Sequence, residues 1–189
     1  MSSTARGGIR HISDYYQTPR EVIEDVINHL NISTDIFTGN KRILDPCAGG
    51  SEDKPMAYVE VLKEYGFNPS SIDIREDSRA EQIVDFLQLE TNQKWDIIMS
   101  NPPFSHAVEF IEKSLNLVEN GGYVIMLVRL NFFGSQKRKE FFDKYMPEYT
   151  IVHRKRISFT PNGATDSIEY CHMVWRKGYN PEYSKLAVI

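Results

Sequence analysis

At 189 residues, with 41% hydrophobic and 25% charged side chains, the chain has the composition of one folded globular domain, which excludes general disorder. Its net charge of −4 excludes a protein that binds nucleic acid through overall positive charge, and two cysteines are too few for a disulfide framework. The longest apolar stretch, 123–130, is too short to cross a bilayer, and residues 1–8 lack the apolar core of a signal peptide, so we expect a cytoplasmic protein without a membrane partner.

A polar leader, residues 1–14, precedes the first predicted helix at 19–30. Thr18 is its expected N-cap, Pro19 its first helical residue, and Glu21 completes a capping box. Further strands are predicted at 41–44, 71–74, 82–84, 95–99 and 123–130, and further helices at 55–65, 105–118 and 135–145. The run Asn120-Gly121-Gly122 is the expected stop of the helix at 105–118.

Two last segments of β character, 149–157 and 168–175, have no helical stretch between them. They are therefore expected to pair antiparallel. The alternation of strands and helices before them is typical of parallel sheets with helices on both faces. Together these elements predict an α/β fold with a doubly wound, mostly parallel sheet and an antiparallel end.

A tetrapeptide, Asn101-Pro102-Pro103-Phe104, directly follows Ser100 at the carboxyl end of the predicted strand 95–99, where open α/β sheets bind their ligands. The Asn101 side-chain oxygen and the Pro102 carbonyl can both accept hydrogen bonds from a planar NH₂ group, and Phe104 can stack on a flat substrate. This arrangement suits methylation of a planar amino nitrogen, whose lone pair must be localised. A polar turn with two prolines would also explain the tetrapeptide.

A turn of small residues ends the first predicted strand, with the sequence Asp45-Pro46-Cys47-Ala48-Gly49-Gly50-Ser51. Small residues let the backbone pass close under a ligand, as in nucleotide-binding turns. The Gly-Lys-Ser/Thr ending of a phosphate loop is absent. A purely structural turn would explain the glycines as well.

Two acids lie at the ends of the next two predicted strands. Asp73 comes about 20 residues past the glycines, where a carboxylate can accept both ribose hydroxyls of a nucleotide. Asp85 could accept a hydrogen bond from an adenine amine, with Phe86 packed on the purine. Single acids after strands often only cap turns, but these acids and Asp45 come in succession at carboxyl edges.

In the order and spacing of these motifs the chain resembles the class I S-adenosylmethionine-dependent amino methyltransferases, most closely the adenine-N6 DNA branch. The resemblance runs from Tyr16-Gln17-Thr18-Pro19 to the tetrapeptide and extends over nearly the whole chain. It implies a single-domain, Rossmann-like class I methyltransferase fold with a mostly parallel seven-stranded sheet and an antiparallel C-terminal strand. Residues 1–189 would then form one methyltransferase domain, with no separate target-recognition domain.

The resemblance also implies the cofactor, S-adenosyl-L-methionine, and a role for each matching residue. The expected cofactor-binding residues are Tyr16, Thr18, Pro19, Asp45, Pro46, Cys47, Ala48, Gly49, Asp73, Asp85, Phe86 and Asn101. The expected catalytic residues, which hold the target amine during direct methyl transfer, are Asn101, Pro102, Pro103 and Phe104. The chain departs from the family at Ser51, where glycine is common, and at Phe104, where tyrosine is commoner. No metal is expected, because the five histidines show no metal-ligand spacing.

The expected nucleic-acid-binding residues are Arg154, Lys155, Arg156 and Phe159, which combine cations with an aromatic ring. A solvated loop with basic flanks would also explain them, and a solvated face is the interpretation of the run 137–139. A second candidate contact is the segment 129–133. A homodimer or an accessory subunit could supply the remaining target recognition. Three alternatives to a DNA enzyme stay open: an RNA adenine-N6 methyltransferase, a protein glutamine N-methyltransferase, and a catalytically silent cofactor-binding subunit.

Overall fold

The structure is a computed structural model and describes residues 17–159 and 167–189. These residues form eight strands: β1 (Ile43–Asp45), β2 (Ser70–Asp73), β3 (Gln82–Ile83), β4 (Trp95–Ser100), β5 (Val118–Arg129), β6 (Tyr149–Val152), β7 (Tyr170–Arg176) and β8 (Lys185–Val188). They also form four α-helices: α1 (Arg20–Ser33), α2 (Ala57–Glu64), α3 (Ala107–Leu117) and α4 (Lys139–Lys144). No helix among the described residues is long and apolar enough to cross a membrane.

The eight strands form one sheet in the order β3-β2-β1-β4-β5-β7-β6-β8. Neighbours among β1 to β5 are parallel, whereas β7 runs antiparallel to both β5 and β6. The predicted mostly parallel sheet with an antiparallel strand near its end is confirmed. It has eight strands rather than seven, because residues 185–188 pair in parallel with β6. The sequence did not predict this strand, because Leu186 and Val188 are both exposed and the segment therefore lacks the alternation of apolar and polar residues of a half-buried strand.

The predicted helix stop at residues 120–122 is wrong. Helix α3 ends three residues earlier, and the two glycines lie inside β5. Gly121 has a φ of 80°, and a Cβ on Gly122 would come within 2.9 Å of the carbonyl oxygens of Asp96 and Glu119. The glycines are therefore required by a crowded, irregular stretch of strand rather than by a helix end.

Helices cover both faces of the sheet, as the doubly wound prediction requires. Ile97 and Met99 of β4 point to the face that α1 and α2 cover, while Ile98 between them packs with α3 on the opposite face. A smaller cluster lies beside the carboxyl ends of the strands and contains Val22, Leu127, Ile157 and Tyr170, with Phe104, Phe159 and Ile168 packed against it. Burial on both faces holds the strand ends in place for the site.

Candidate functional site

A cavity of about 280 Å³ lies at the carboxyl edge of β1, β2 and β4. This edge contains the switch point of the sheet, where the strand order reverses. The chain continues from β1 to β2 on one side of β1, and the next strand added, β4, lies on the other side of β1. The predicted site residues that line the cavity are Thr18, Pro46, Cys47, Ala48, Asp73, Asp85, Phe86, Asn101 and Pro103. Five separate segments of the sequence therefore meet at one cavity.

Asp73, the last residue of β2, is buried in the cavity wall. Its Oδ2 accepts a hydrogen bond from the Gly49 N–H at 2.7 Å, and its Oδ1 accepts one from the Arg75 N–H at 2.8 Å. Each carboxylate oxygen has further acceptor capacity, so Asp73 can hold the turn and still accept from a ligand hydroxyl. Gly49 itself does not line the cavity and has a φ of 63°.

Asp45 lies fully buried at the end of β1 and does not line the cavity. Its Oδ1 accepts hydrogen bonds from the Ser100 hydroxyl at 2.6 Å and the Cys47 N–H at 3.1 Å. Its Oδ2 is buried and has no hydrogen-bond partner among the described residues. The pKa of Asp45 is raised to about 7, mainly by burial and in part by the nearby charge of Asp73, while the two hydrogen bonds act in the opposite direction.

Asp85 lies two residues beyond β3 and lines the cavity beside Phe86. Its Oδ1 accepts a hydrogen bond from the Leu87 N–H at 2.9 Å, so it caps the short turn that follows. The capping role considered from the sequence is thus realised, and Asp85 also forms part of the cavity wall. The Phe86 ring is buried and packs on Phe110 with 5.3 Å between the ring centroids.

The tetrapeptide contributes Asn101 and Pro103 to the cavity wall, whereas Pro102 is buried behind it. The Asn101 Nδ2 donates to the Thr18 hydroxyl at 3.2 Å. The predicted capping box is wrong: Pro19 is the N-cap of α1, without a side-chain hydrogen bond, and does not line the cavity. Thr18 lies one residue too early to cap, and its buried hydroxyl instead accepts from Asn101.

Behind Thr18 a chain of buried polar side chains runs from α2 over one face of the sheet to β7 and to His153, which follows β6. The Tyr58 hydroxyl lies 2.9 Å from Nε2 of His172, and Nδ1 of His172 lies 2.7 Å from Nε2 of His153. Burial lowers the pKa of His153 to about 4 and that of His172 well below its usual value, so both rings are neutral at pH 7. Burial also raises the pKa of Tyr58 well above its usual value, against a hydrogen bond from Thr18.

Sequence reasoning missed this chain, although Tyr58 lines the cavity. It also missed Gln17, Ile74, Arg75 and His106, which line the cavity as well. Gln17 and Ile74 adjoin predicted site residues, so proximity to those motifs was an available signal. No local pattern distinguishes Tyr58 or His172 from an ordinary core residue.

Phe104 lies outside the cavity wall, against the small apolar cluster. Its ring centroid lies 5.6 Å from that of Tyr170, and the guanidinium carbon of Arg129 lies 4.8 Å from the Phe104 centroid. Phe159 packs on the same Tyr170 at 5.1 Å, with the two rings nearly perpendicular. The four residues thus form an aromatic and cationic cluster at the tetrapeptide, in which Tyr170 is buried and the other three are partly exposed.

The basic run 154–156 is exposed and follows β6 on this side of the sheet. Arg156 forms an ion pair with Glu169 at 3.5 Å. Tyr16 and residues 160–166 lie outside the described residues. In the other basic run, Lys139 pairs with Asp143, and Arg138 donates to the carbonyls of Asn131 and Phe132.

Comparison with known proteins finds no matching protein-family model and no matching curated protein. Among solved structures, a candidate class I S-adenosylmethionine-dependent methyltransferase from Listeria monocytogenes superposes with a TM-score of 0.65 at 18% identity, over 98% of this chain and 68% of that one. A candidate RNA methyltransferase from Pyrococcus horikoshii has a TM-score of 0.65 at 13% identity, over 87% of this chain and 88% of that one. A protein of a type I restriction-modification complex has a TM-score of 0.59 at 10% identity, over 90% of this chain and 43% of that one. These similarities show that the chain has the Rossmann-like methyltransferase fold.

Proposed function

We propose that this protein is an S-adenosylmethionine-dependent methyltransferase that methylates the exocyclic N6 amine of adenine in nucleic acid, with DNA favoured over RNA. The observation that carries the proposal is the composition of one cavity wall. It combines the carboxylates of Asp73 and Asp85 with Asn101 and Pro103 of the tetrapeptide. Acceptors for a nucleotide and the Asn101 carboxamide, an acceptor for a planar amine, therefore lie in one small space.

The predicted residues that line the cavity support the proposed cofactor. Asp73 can accept the ribose hydroxyls, while Asp85 and Phe86 can bind the adenine through its amine and its flat face. The backbone of the turn 46–48 lines the cavity with small side chains, which allows close approach of the methionine part. When bound, the cofactor supplies an electrophilic methyl group on a sulfonium. The chain has to bind it and to hold the acceptor amine in line with it.

The proposed amine contacts are Oδ1 of Asn101 and the carbonyl oxygen of Pro102. Because Nδ2 of Asn101 donates to Thr18, the acceptor end of the carboxamide is the one assigned to the amine. Two successive prolines fix φ on both sides of the Pro102 carbonyl and keep its direction constant. Two oxygens that bind the amine hydrogens would favour a directed lone pair on the nitrogen.

The proposed polymer is nucleic acid because of the surface beside the tetrapeptide. The exposed run 154–156 adds positive charge, and Phe159 and Phe104 add rings near the strand ends. An adenine in a duplex would have to be flipped out of the stack to reach Asn101. A homodimer or an accessory subunit would supply further recognition. The similarity to a protein of a type I restriction-modification complex supports DNA as the polymer.

Three alternatives remain candidates. The similarity to a candidate RNA methyltransferase, together with phenylalanine at position 104, favours RNA as the second choice. A protein glutamine side chain also offers a planar NH₂ group to Asn101. A silent cofactor-binding subunit would methylate no target. Such a subunit would have no use for the hydrogen bond from Asn101 to Thr18 that orients the carboxamide, so this bond speaks against it.

The deciding experiment incubates the protein with methyl-labelled S-adenosylmethionine and, separately, duplex DNA, single-stranded DNA, transfer RNA, ribosomal RNA and protein. We expect label in DNA that is recovered as N6-methyladenine after digestion to nucleosides. Label in RNA or in protein would replace DNA by the corresponding alternative. Cofactor binding without transfer to any polymer would favour the silent subunit. The Asn101→Ala variant is the matched control, since it should bind cofactor without transferring the methyl group.

A further inference from the structure

Arg129, the last residue of β5, is a half-buried cation without an acceptor among the residues that the structure describes. Its Nε is buried and has no hydrogen-bond partner among residues 17–159 and 167–189. None of the ion pairs between described residues includes it. Its described contact is with an aromatic ring, since its guanidinium carbon lies 4.8 Å from the centroid of Phe104.

A candidate counter-ion lies close to Arg129 in the described part of the chain but pairs elsewhere. The Glu169 carbonyl accepts from the N–H of Leu130, next to Arg129, yet the Glu169 carboxylate pairs with Arg156. Other arginines use their guanidinium groups within the protein: Arg42 binds Asp96 and Glu119, and Arg138 binds two backbone carbonyls. A guanidinium that lies near a site and has an N–H donor without an acceptor can bind an anionic group of a ligand.

The position of Arg129 relates it directly to the proposed target. Phe104 follows Pro103 of the cavity wall, and Arg129 lies over the ring of Phe104. In the β4–β5 register Ser100 is level with Met126, so Arg129 projects from β5 at the same carboxyl edge as the tetrapeptide. An adenine that enters beside Asn101 carries its sugar and phosphates outward, toward the rim where Arg129 lies.

We propose that Arg129 binds a backbone phosphate next to the target nucleotide, and that this interaction selects a nucleic acid over a protein amide. The inference rests on the proposed function, whose amine site it extends. Guanidinium matches two phosphate oxygens with parallel N–H donors, and the stacked Phe104 ring limits the motion of the side chain. A glutamine in a protein has no anion at this place. Arg129 therefore binds substrate and acts in substrate choice.

The test uses the full-length protein and one methylation site first mapped with the wild type on plasmid DNA. A synthetic strand with that site is compared with analogues in which one linkage at a time near the target is a neutral methylphosphonate. For the wild type we expect kcat/KM to fall about 10- to 100-fold at one linkage, the range for hydrogen bonds to a charged group. For Arg129→Gln we expect a similar loss on the unmodified strand and no further loss at that linkage, because the two partners act as one interaction.

Arg176→Gln is the matched control. Its guanidinium carbon lies 5.8 Å from the centroid of the Tyr123 ring, at the other end of the β5–β7 pairing, so it also combines a cation with a ring. It should keep wild-type rates and wild-type sensitivity to the neutral linkage. Arg129→Lys, which keeps the charge without the planar pair of donors, should fall between the wild type and Arg129→Gln.

The outcomes separate this inference from the function on which it rests. A wild type that methylates no nucleic acid overturns the proposed function and this role with it. A wild type that methylates DNA but tolerates every neutral linkage near the target overturns only the role of Arg129. The same holds if Arg129→Gln stays as sensitive to the neutral linkage as the wild type. Unchanged cofactor affinity by calorimetry verifies that the variants are folded.

Discussion

The carboxylate of Asp73 accepts a hydrogen bond from the backbone N–H of Gly49, with 2.7 Å between Oδ2 and the nitrogen. The bond joins the end of β2 to the small-residue turn after β1, across 24 positions of the sequence. Asp73 therefore positions the turn on which the cofactor is proposed to lie, as well as facing the cavity. A change at Asp73 should affect both the ribose contact and the shape of the turn.

We expect Asp73→Ala to weaken binding of S-adenosylmethionine about 10- to 100-fold, because it removes charge-assisted hydrogen bonds to the ribose and leaves the Gly49 N–H unpaired. Calorimetric titration measures the change. Glu76→Gln, at an exposed acid three residues away, is the control and should bind like the wild type. Unchanged affinity of Asp73→Ala would remove Asp73 from the ribose role.

Asn101→Ala should reduce methyl transfer at least 100-fold while leaving cofactor affinity within a few fold, since its Oδ1 is proposed to hold the amine in the transition state. Single-turnover transfer of labelled methyl measures the rate, and calorimetry measures the affinity. Turnover at the wild-type rate would contradict the proposed amine contact.

Tyr58→Phe should lower the rate of transfer about tenfold, the effect of one buried hydrogen bond, without a matching loss of cofactor affinity. In the neutral His172 tautomer that carries its proton on Nδ1, the ring accepts from Tyr58 and donates to His153, and Tyr58 can then accept from Thr18 and Thr18 from Asn101. This order of donors would hold the Asn101 carboxamide in one orientation.

Tyr65→Phe is the control for Tyr58→Phe, because it also removes a hydroxyl, one that donates to Asn28 at an exposed position. It should leave kcat and KM unchanged. Equal kinetics for the two variants would show that the buried chain does not orient Asn101.

Asp45 should make the stability of the protein fall as the pH rises from about 4 to about 7. Burial raises the pKa of Asp45 to about 7, so the folded state keeps a proton that the unfolded chain releases near pH 4. The stabilisation is complete below pH 4 and is lost as the pH approaches 7, by at most about 4 kcal/mol at about 1.4 kcal/mol per unit.

Urea unfolding of the wild type and of Asp45→Asn at several pH values measures this effect. The free energy of unfolding of the wild type should decline relative to that of the variant across this range, because asparagine does not titrate. A difference between the two proteins that stays constant with pH would contradict a raised pKa for Asp45.

Neutralising the basic run 154–156 to glutamine should weaken nucleic-acid binding and flatten its salt dependence by about one unit of log–log slope for each phosphate that the variant no longer binds. Titrations at several salt concentrations measure the slope. Three exposed lysines away from the run, Lys63, Lys137 and Lys144, provide a control with the same change of charge. An unaltered slope in the 154–156 variant would leave this run as a solvated surface.

Much of the fold followed from local patterns. The buried run of β4 followed by Asn101, and the acids at the ends of successive strands, can be recognised from neighbouring residues. The structure brings Asn101, Asp73 and Asp85 to one cavity, whereas Asp45 is buried outside its lining. Element ends were predicted less well where the local signal was ambiguous, as at Gly121 and Gly122, which are typical of helix stops but lie in β5. Strand β8 escaped prediction because its edge position leaves Leu186 and Val188 exposed.

By itself, the sequence determined the α/β alternation, the carboxyl-edge location of the tetrapeptide and the candidate acids, because hydrophobic period and turn chemistry act over a few residues. Only the tertiary structure decided which side chains meet. The Thr18 hydroxyl faces Asn101 across 83 positions, and Tyr58 meets His172 across 114. Such contacts, like that of Arg129 with Phe104, depend on how the helices and strands pack, and no local pattern specifies the partner of a buried polar group.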